Sequence, residues 1–310
     1  MPKNESTFYT ILPTLCSPST LTLMFLPLPE IIQLITDEEA CIGFIIEHKL
    51  VYGQTRCAHC RKSTYRSGRK WRCTNHHCNW SKSIFKDSVF GNTRLPPQTV
   101  MLIGYLWLAK CSHTSVQLIT GCSSATITRL TKLFRQLVAD EVEENEGQIG
   151  GDGVVVEVDE SKFGKRKYHR GHHVEGAWVI GGVERTPERR IFAEVVERRD
   201  APTLITVVRR RVAPSSIVHS DLWKAYEAIP SAAHMEHRTV NHSLYFVDPD
   251  TGVDTNTIEG TWHGIKVGIP ERDRFRGEVE NHIAEFIWRR QNEDDTWSAF
   301  LNCLAQSAVL

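Results

Sequence analysis

The sequence has no net charge: 37 Lys and Arg balance 37 Asp and Glu in 310 residues. That excludes a generic polycation. It has no internal repeat, which excludes solenoid and propeller architectures. It also lacks a long apolar run. Residues 21–28 are short, broken by Pro27, followed by Pro29 and preceded by a weakly charged start (Lys3, Glu5). They fit neither a signal peptide nor a membrane span. The nine cysteines do not form an evenly paired set: four fall within residues 57–78 and five are scattered in apolar contexts. A disulfide framework is thereby disfavoured against a metal site plus buried thiols in a reducing compartment. The expectation is a soluble intracellular protein with no membrane partner.

What is present is unevenly placed. Between Arg56 and Arg94 ten Lys or Arg face one acid, Asp87, a local asymmetry that suits a polyanion. Within that stretch Cys57-x2-Cys60 and Cys73-x4-Cys78 form two knuckle-like pairs. Four thiolates match the tetrahedral preference of one structural Zn²⁺, whose binding would supply the folding free energy of so short and polar a segment. His76 and His77 are candidate substitutes for one thiolate, and Trp71, Trp80 and Phe85 are candidates to pack the knuckles. Contact with DNA through the surrounding basic residues and a purely protein-directed ribbon are both open.

Downstream, helical patterns at 115–119 and 124–139 flank the turn Thr120-Gly121-Cys122-Ser123, an arrangement resembling a helix-turn-helix. Gly121 permits the tight turn and Ser123 or Ser124 can cap the second helix. Ile127, Leu130, Leu133, Phe134 and Leu137 form its inner face, leaving Thr126, Thr128, Arg129 and Lys132 outward for groove or phosphate contact. A plain helical hairpin is the alternative.

After an acidic, Gly-containing segment at 140–153 the pattern becomes α/β. Strands are expected at 154–158, 177–183, 191–196, 217–219 and 238–241, and helices at 202–212, 222–228, 257–266, 278–291 and 294–305. A further helix is expected from Thr36, with Thr36 and Glu39 as a capping box. Three acids stand out: Asp159 ends the run Val-Val-Val-Glu-Val, Asp221 follows Ile217-Val-His-Ser, and Glu259 lies on a helix in Ile-Glu-Gly-Thr-Trp. An acid closing an apolar strand is costly unless it binds a cation. Carboxylates from three chain segments are what two Mg²⁺ (or Mn²⁺) ions need to activate a water or 3′-hydroxyl against a phosphodiester. Asn256 and Asp254 are alternatives to Glu259. Between the first two strands, Lys162, Lys165, Arg166, Lys167 and Arg170 make a basic loop with His169, His172 and His173, suited to a phosphate backbone; a solvated hairpin is the alternative.

The set Val158-Asp159-Glu160-Ser161, His219-Ser220-Asp221-Leu-Trp223-Lys-Ala-Tyr226, Val240-Asn241-His242-Ser243 and Thr257-Ile258-Glu259-Gly260-Thr-Trp262-His-Gly-Ile-Lys266 resembles the Merlin transposase superfamily and its bacterial XO2-like insertion-sequence relatives. The resemblance covers about residues 55–292. It implies an α/β fold with an RNase H-like catalytic core, a mixed five-stranded sheet with flanking helices, preceded by a zinc ribbon and a helical DNA-binding segment. It implies a DNA transposase that binds terminal inverted repeats, cleaves with two Mg²⁺ ions and joins strands, acting as a dimer or higher oligomer on double-stranded DNA. By motif match Asp159, Asp221 and Glu259 are the metal-binding acids, and Lys266, two turns beyond Glu259, contacts phosphate. The expected division is 1–53 extension with one or two helices, 54–94 zinc ribbon, 95–140 helix-turn-helix-like segment, 141–152 linker, 153–292 catalytic domain and 293–310 terminal helix. A domesticated, inactive DNA-binding descendant and an RNase H-fold nuclease without strand transfer are the rival readings, with a zinc-ribbon protein adaptor behind them. The compartment would be the nucleus in a eukaryote, favoured by the extension before the ribbon, and the cytoplasm in a bacterium.

Overall fold

The computed structural model describes residues 26–164 and 176–308. Two helices lie in the N-terminal extension, where one or two were expected: α1 (Leu28–Thr36), followed by α2 (Glu38–Glu47). The cap of α2 is Asp37, whose Oδ1 accepts the Glu39 amide at 3.0 Å; Thr36 ends α1 instead, donating to the Gln33 carbonyl. Ile31, Ile42 and Ile45 are fully buried. Three short antiparallel strands follow, β1 (Thr64–Ser67), β2 (Lys70–Cys73) and β3 (Ser81–Ser83), in that spatial order.

The next helix, α3 (Pro97–Leu108), starts with Pro at its first position, where no amide partner is needed. It is apolar on nearly every side and so becomes the centre of a helical core. Around it pack α4 (His113–Thr120), α5 (Ser124–Glu144) and the last helix, α10 (Thr296–Ser307). Trp107 lies 5.7 Å from Phe134 and 5.6 Å from Phe300, ring centre to ring centre. Two expectations change here. The helix of α5 runs on to Glu144, through the first part of the expected linker, because Val138 and Val142 continue its apolar face. The terminal helix is an integral part of the N-terminal core.

The second unit is a five-stranded sheet. Strands β4 (Val155–Lys162), β5 (Trp178–Glu184) and β6 (Ile191–Val196) form an antiparallel meander. Helix α6 (Ala201–Arg211) then carries the chain across to β7 (Ile217–Asp221), parallel to β4, and β8 (Glu236–Val240) is parallel to β7. The spatial order is β6-β5-β4-β7-β8. Expected helix 222–228 is instead a 3-10 turn at Lys224–Tyr226 followed by the short α7 (Ile229–Ala233), with Pro230 starting it. Val156, Val158 and Val218 face α6 and α7, while Val179, Val183 and Ile191 face α8 (Asn256–Gly268) and α9 (Arg276–Gln291). Helices therefore cover both faces, as a largely buried α/β sheet requires.

Candidate active site

Strand register brings two of the three acids together. β4 and β7 pair through Val155 with Ile217, Val156 with Val218 and Glu157 with His219. Two residues beyond that last pair stand Asp159 and Asp221, so the two-residue period places both on the face shared by Glu157 and His219. Asp159 does not end its strand: β4 continues to Lys162, held beyond this point by β5 alone.

The helix on this face, α8, is bonded to alternate residues of β4. The Ile258 amide donates to Glu157 Oε2 at 2.9 Å, the Trp262 indole Nε1 to Asp159 Oδ2 at 3.0 Å, and the Lys266 ammonium to Ser161 Oγ. Four helical residues rise about 6 Å and two strand residues about 6.6 Å, so every helical turn meets the next like-facing strand position. Gly181 makes the contact possible. It lies opposite Asp159 in β5, and a Cβ there would come within 2.6 Å of Trp262 Cη2. Only a residue without a side chain lets the indole lie over the sheet and reach the carboxylate.

Burial, reinforced by the charges of Glu160 and Asp221, pushes the Asp159 carboxyl up from its ordinary 3.8 to about 7; the hydrogen bonds from the Glu160 amide and the Trp262 indole oppose the shift. Lys266 is held below its ordinary range by burial, an effect that Asp159 partly offsets. Asp221 Oδ1 accepts the Trp223 amide at 3.0 Å.

Glu259 precedes Trp262 by three residues and Lys266 by seven, which puts it on their stripe of α8. Its carboxylate is exposed and lies 3.9 Å from His242 Nε2, which also meets Thr255 Oγ1 at 2.6 Å. Asn256 begins α8 with its side chain exposed, and Asp254 is paired with Arg185 at 2.6 Å. Among the described residues, the one set of three or more His, Cys, Asp or Glu ligand atoms within reach of a single ion is the cysteine quartet. Asp159 and Asp221 share a sheet face, Glu259 stands exposed on the helix that packs over it, and the three do not converge on one point.

Behind the site lie charged groups that sequence reading passed over. Glu157 is fully buried, bonded to Arg185 at 2.6 Å as well as to the Ile258 amide. On the other side of β4, buried Glu160 accepts from Arg199 and from the Tyr226 hydroxyl, and the Arg199 guanidinium lies 4.0 Å from the Trp223 ring and 4.8 Å from the Trp178 ring. His219 is buried, and burial lowers its pKa. Glu157 interrupts the valine run at every second position with Asp159; that alternation was the available signal.

The four cysteine sulfurs, Cys57, Cys60, Cys73 and Cys78, all lie within 4.8 Å of one another, a set that can hold one metal ion. Amides of His59, Cys60 and Asn75 donate to the Cys57 and Cys73 sulfurs at 3.3 to 3.5 Å, as thiolate knuckles require. His76 and His77 are exposed and stand outside the quartet. Trp80 packs against the sulfurs, whereas Phe85 joins the helical core. Part of the basic excess is neutralised by α2, where Arg66 pairs with Glu39 and Arg69 with Glu38.

In the helix pair, Gly121 closes α4 in the left-handed region at φ 67°, and Ser123 Oγ accepts the Thr126 amide at 3.3 Å. Arg129 is exposed and lines a depression with Arg94 and Thr126, so the ribbon segment and the second helix present cations together. Lys132 pairs with Glu278 of α9. Lys162 lies over the Trp178 ring at 5.3 Å. Lys165, Arg166, Lys167 and Arg170, with His169, His172 and His173, fall outside the described residues.

Residues 138–291 match the family model of the ISXO2-like transposase domain. Over that span the chain is similar to transposase domains. An uncharacterized transposase-like protein of Haemophilus influenzae is 25% identical over 109 residues, covering 34% of this chain and 84% of that protein. A crystal structure of a pre-cleavage Mos1 transpososome aligns over 68% of this chain and 78% of its own, with 7% identity and a TM-score of 0.20, too low to carry weight. No helix among the described residues is long and apolar enough to cross a membrane.

Proposed function

We propose that the protein is a DNA transposase of the Merlin and XO2-like group, with an RNase H-like core. The observation that carries this reading is the shared face of Asp159 and Asp221 on neighbouring parallel strands inside the matched domain. The order of the five strands, with the second antiparallel to the rest, supports the core assignment.

Asp159 is a half-buried acid beside two other acids, Glu160 and Asp221, with neutral donors in the Trp262 indole and the Glu160 amide. Such a donor set suits a hard divalent cation, which would replace the proton the site otherwise retains. Asp159, Asp221 and Glu259 would hold Mg²⁺ or Mn²⁺. The metal would supply a more acidic attacking hydroxyl and neutralise charge on the phosphodiester. The protein's own contribution is orientation. The Trp262 indole fixes Asp159, the Trp223 amide fixes Asp221, and the His242 imidazole stands beside Glu259. Glu259 is favoured over Asn256 because it shares a stripe with Trp262 and Lys266, the two α8 residues whose side chains bond β4. Lys266, together with Lys162 and the 165–170 segment, meets phosphates near the chemistry. Arg94, Arg129 and Lys132 bind the inverted-repeat duplex, helped by a ribbon folded around one Zn²⁺ on Cys57, Cys60, Cys73 and Cys78. Two copies handle two ends of the element.

The test is Mg²⁺-dependent excision and joining from a supercoiled plasmid carrying the flanking DNA of this reading frame. Cleavage and joined product are expected from the wild type, with neither from Asp159→Ala or Asp221→Ala. Equal activity in the variants overturns the acid assignment. Cutting without joined product selects the nuclease reading, and specific binding without cutting selects the domesticated one.

A further inference from the structure

The loop after β8 holds four consecutive large apolar side chains in solvent. Leu244, Tyr245, Phe246 and Val247 are 68, 46, 82 and 47% exposed. The loop is anchored on both sides of them. On one side the amides of Leu244 and Tyr245 donate to the Asn241 carbonyl at 2.9 Å. On the other, the Asp248 amide bonds the Val253 carbonyl at 2.9 Å, and Asp248 Oδ1 accepts from Thr251. His242, two residues before the apolar run, reaches Thr255, which immediately precedes α8, and Glu259 on α8. The tip therefore projects from the rim of the acid face, from the same loop that positions the third acid.

We propose that this tip is a wedge that inserts between base pairs next to the phosphodiester being cut, with Phe246 stacked on an unpaired base. This inference rests on the reading of the chain as a DNA-cutting transposase. The apolar part of a duplex is its base faces, which become available when a step is unstacked; apolar and aromatic side chains stabilise that opened state. A second copy of the chain is the weaker occupant: four side chains on one loop tip fall far short of the roughly 800 Å² per partner that a stable interface buries.

The experiment is permanganate footprinting of labelled duplexes tiling the DNA that flanks this reading frame, using the full chain with Ca²⁺ in place of Mg²⁺. Wild type is expected to make thymines beside the cleavage position reactive. Phe246→Ala is expected to lower that reactivity roughly tenfold while leaving gel-shift affinity within about threefold, and Phe246→Trp to retain it. At 82% exposure Phe246 supports no core, and an unchanged melting temperature verifies that the Ala variant folds. Equal reactivity in wild type and Phe246→Ala, with the wild type cutting normally in Mg²⁺, overturns the wedge alone. Conversion of a DNA-free dimer to a monomer by Phe246→Ala also overturns it, assigning the patch to a second copy. Absence of any Mg²⁺-dependent cut by wild type overturns the proposed function and the wedge together.

Discussion

Replacing Asp159 by Asn in metal-free protein isolates the electrostatic cost of the acid site. Folding raises this carboxyl from 3.8 to about 7. The folded chain therefore binds more protons than the unfolded chain between those values, and stability must fall as pH rises through that window. A shift of about three units corresponds to roughly 4 kcal/mol at pH 8, of which about 1.5 kcal/mol is already present at pH 5. Asn keeps an oxygen to accept the Trp262 indole but carries no charge. Asp159→Asn is thus expected to be more stable than wild type in EDTA, with the advantage growing by about 2–3 kcal/mol between pH 5 and pH 8. Urea unfolding at the two pH values, followed by circular dichroism of the sheet domain, measures it. A difference that is flat or shrinks with pH would refute a site strained by its own acids. Adding Mg²⁺ at pH 8 should remove the advantage, because the cation replaces the lost proton only in the wild type.

Three further outcomes follow from contacts already described. Gly181→Ala should displace the Trp262 indole, costing about 1–3 kcal/mol and changing the Trp emission, because its Cβ would sit 2.6 Å from the ring; an unperturbed spectrum and melting point would count against the close approach. Arg185→Ala leaves fully buried Glu157 without its cation and should cost about 3–5 kcal/mol in urea unfolding, with part regained in the Glu157→Gln, Arg185→Ala double variant. Cys57→Ser or Cys73→Ser should abolish a stoichiometric zinc signal in elemental analysis and open residues 54–94 to proteolysis while the sheet domain still unfolds cooperatively.

The strands were legible where local pattern and tertiary environment agree. Residues 191–196 are a nearly continuous apolar run bounded by Pro187 before and Asp200 after, so β6 was placed without error. The end of β4 was misplaced because Asp159, read as a terminator, is tolerated mid-strand by Trp262, Gly181 and a neighbouring strand that stops short. None of those three is local in sequence. The expected helix at 222–228 failed for a related reason: Trp223 is held outside helical geometry at ψ 130°, with its amide on Asp221 and its ring on Arg199. The clustering of the four cysteines was readable because the spacing of their two pairs implies a common metal site, and the neighbouring places of Asp159 and Asp221 because each follows an apolar strand pattern. The wedge loop was not, since four apolar residues in a row read as buried until a structure places them in water.

One packing detail bears on how such a molecule could be divided. Arg289 of α9 lies 4.6 Å over the Trp107 ring and donates to the carbonyls of Trp107 and Leu108, closing the end of α3 with a residue from nearly two hundred positions later. Trp288 bonds Glu141 at 2.7 Å beside it, and α10 then returns to the first core. The helical unit is thus a clasp whose two halves are the beginning and end of the chain, with the sheet domain strung between them. Severing the chain at 140–152 would not release a free-standing helical unit and a free-standing sheet unit. It would strip the first of its fastening and leave the second with an uncovered tryptophan, so the helical core and the sheet that carries the acids are parts of one fastened body.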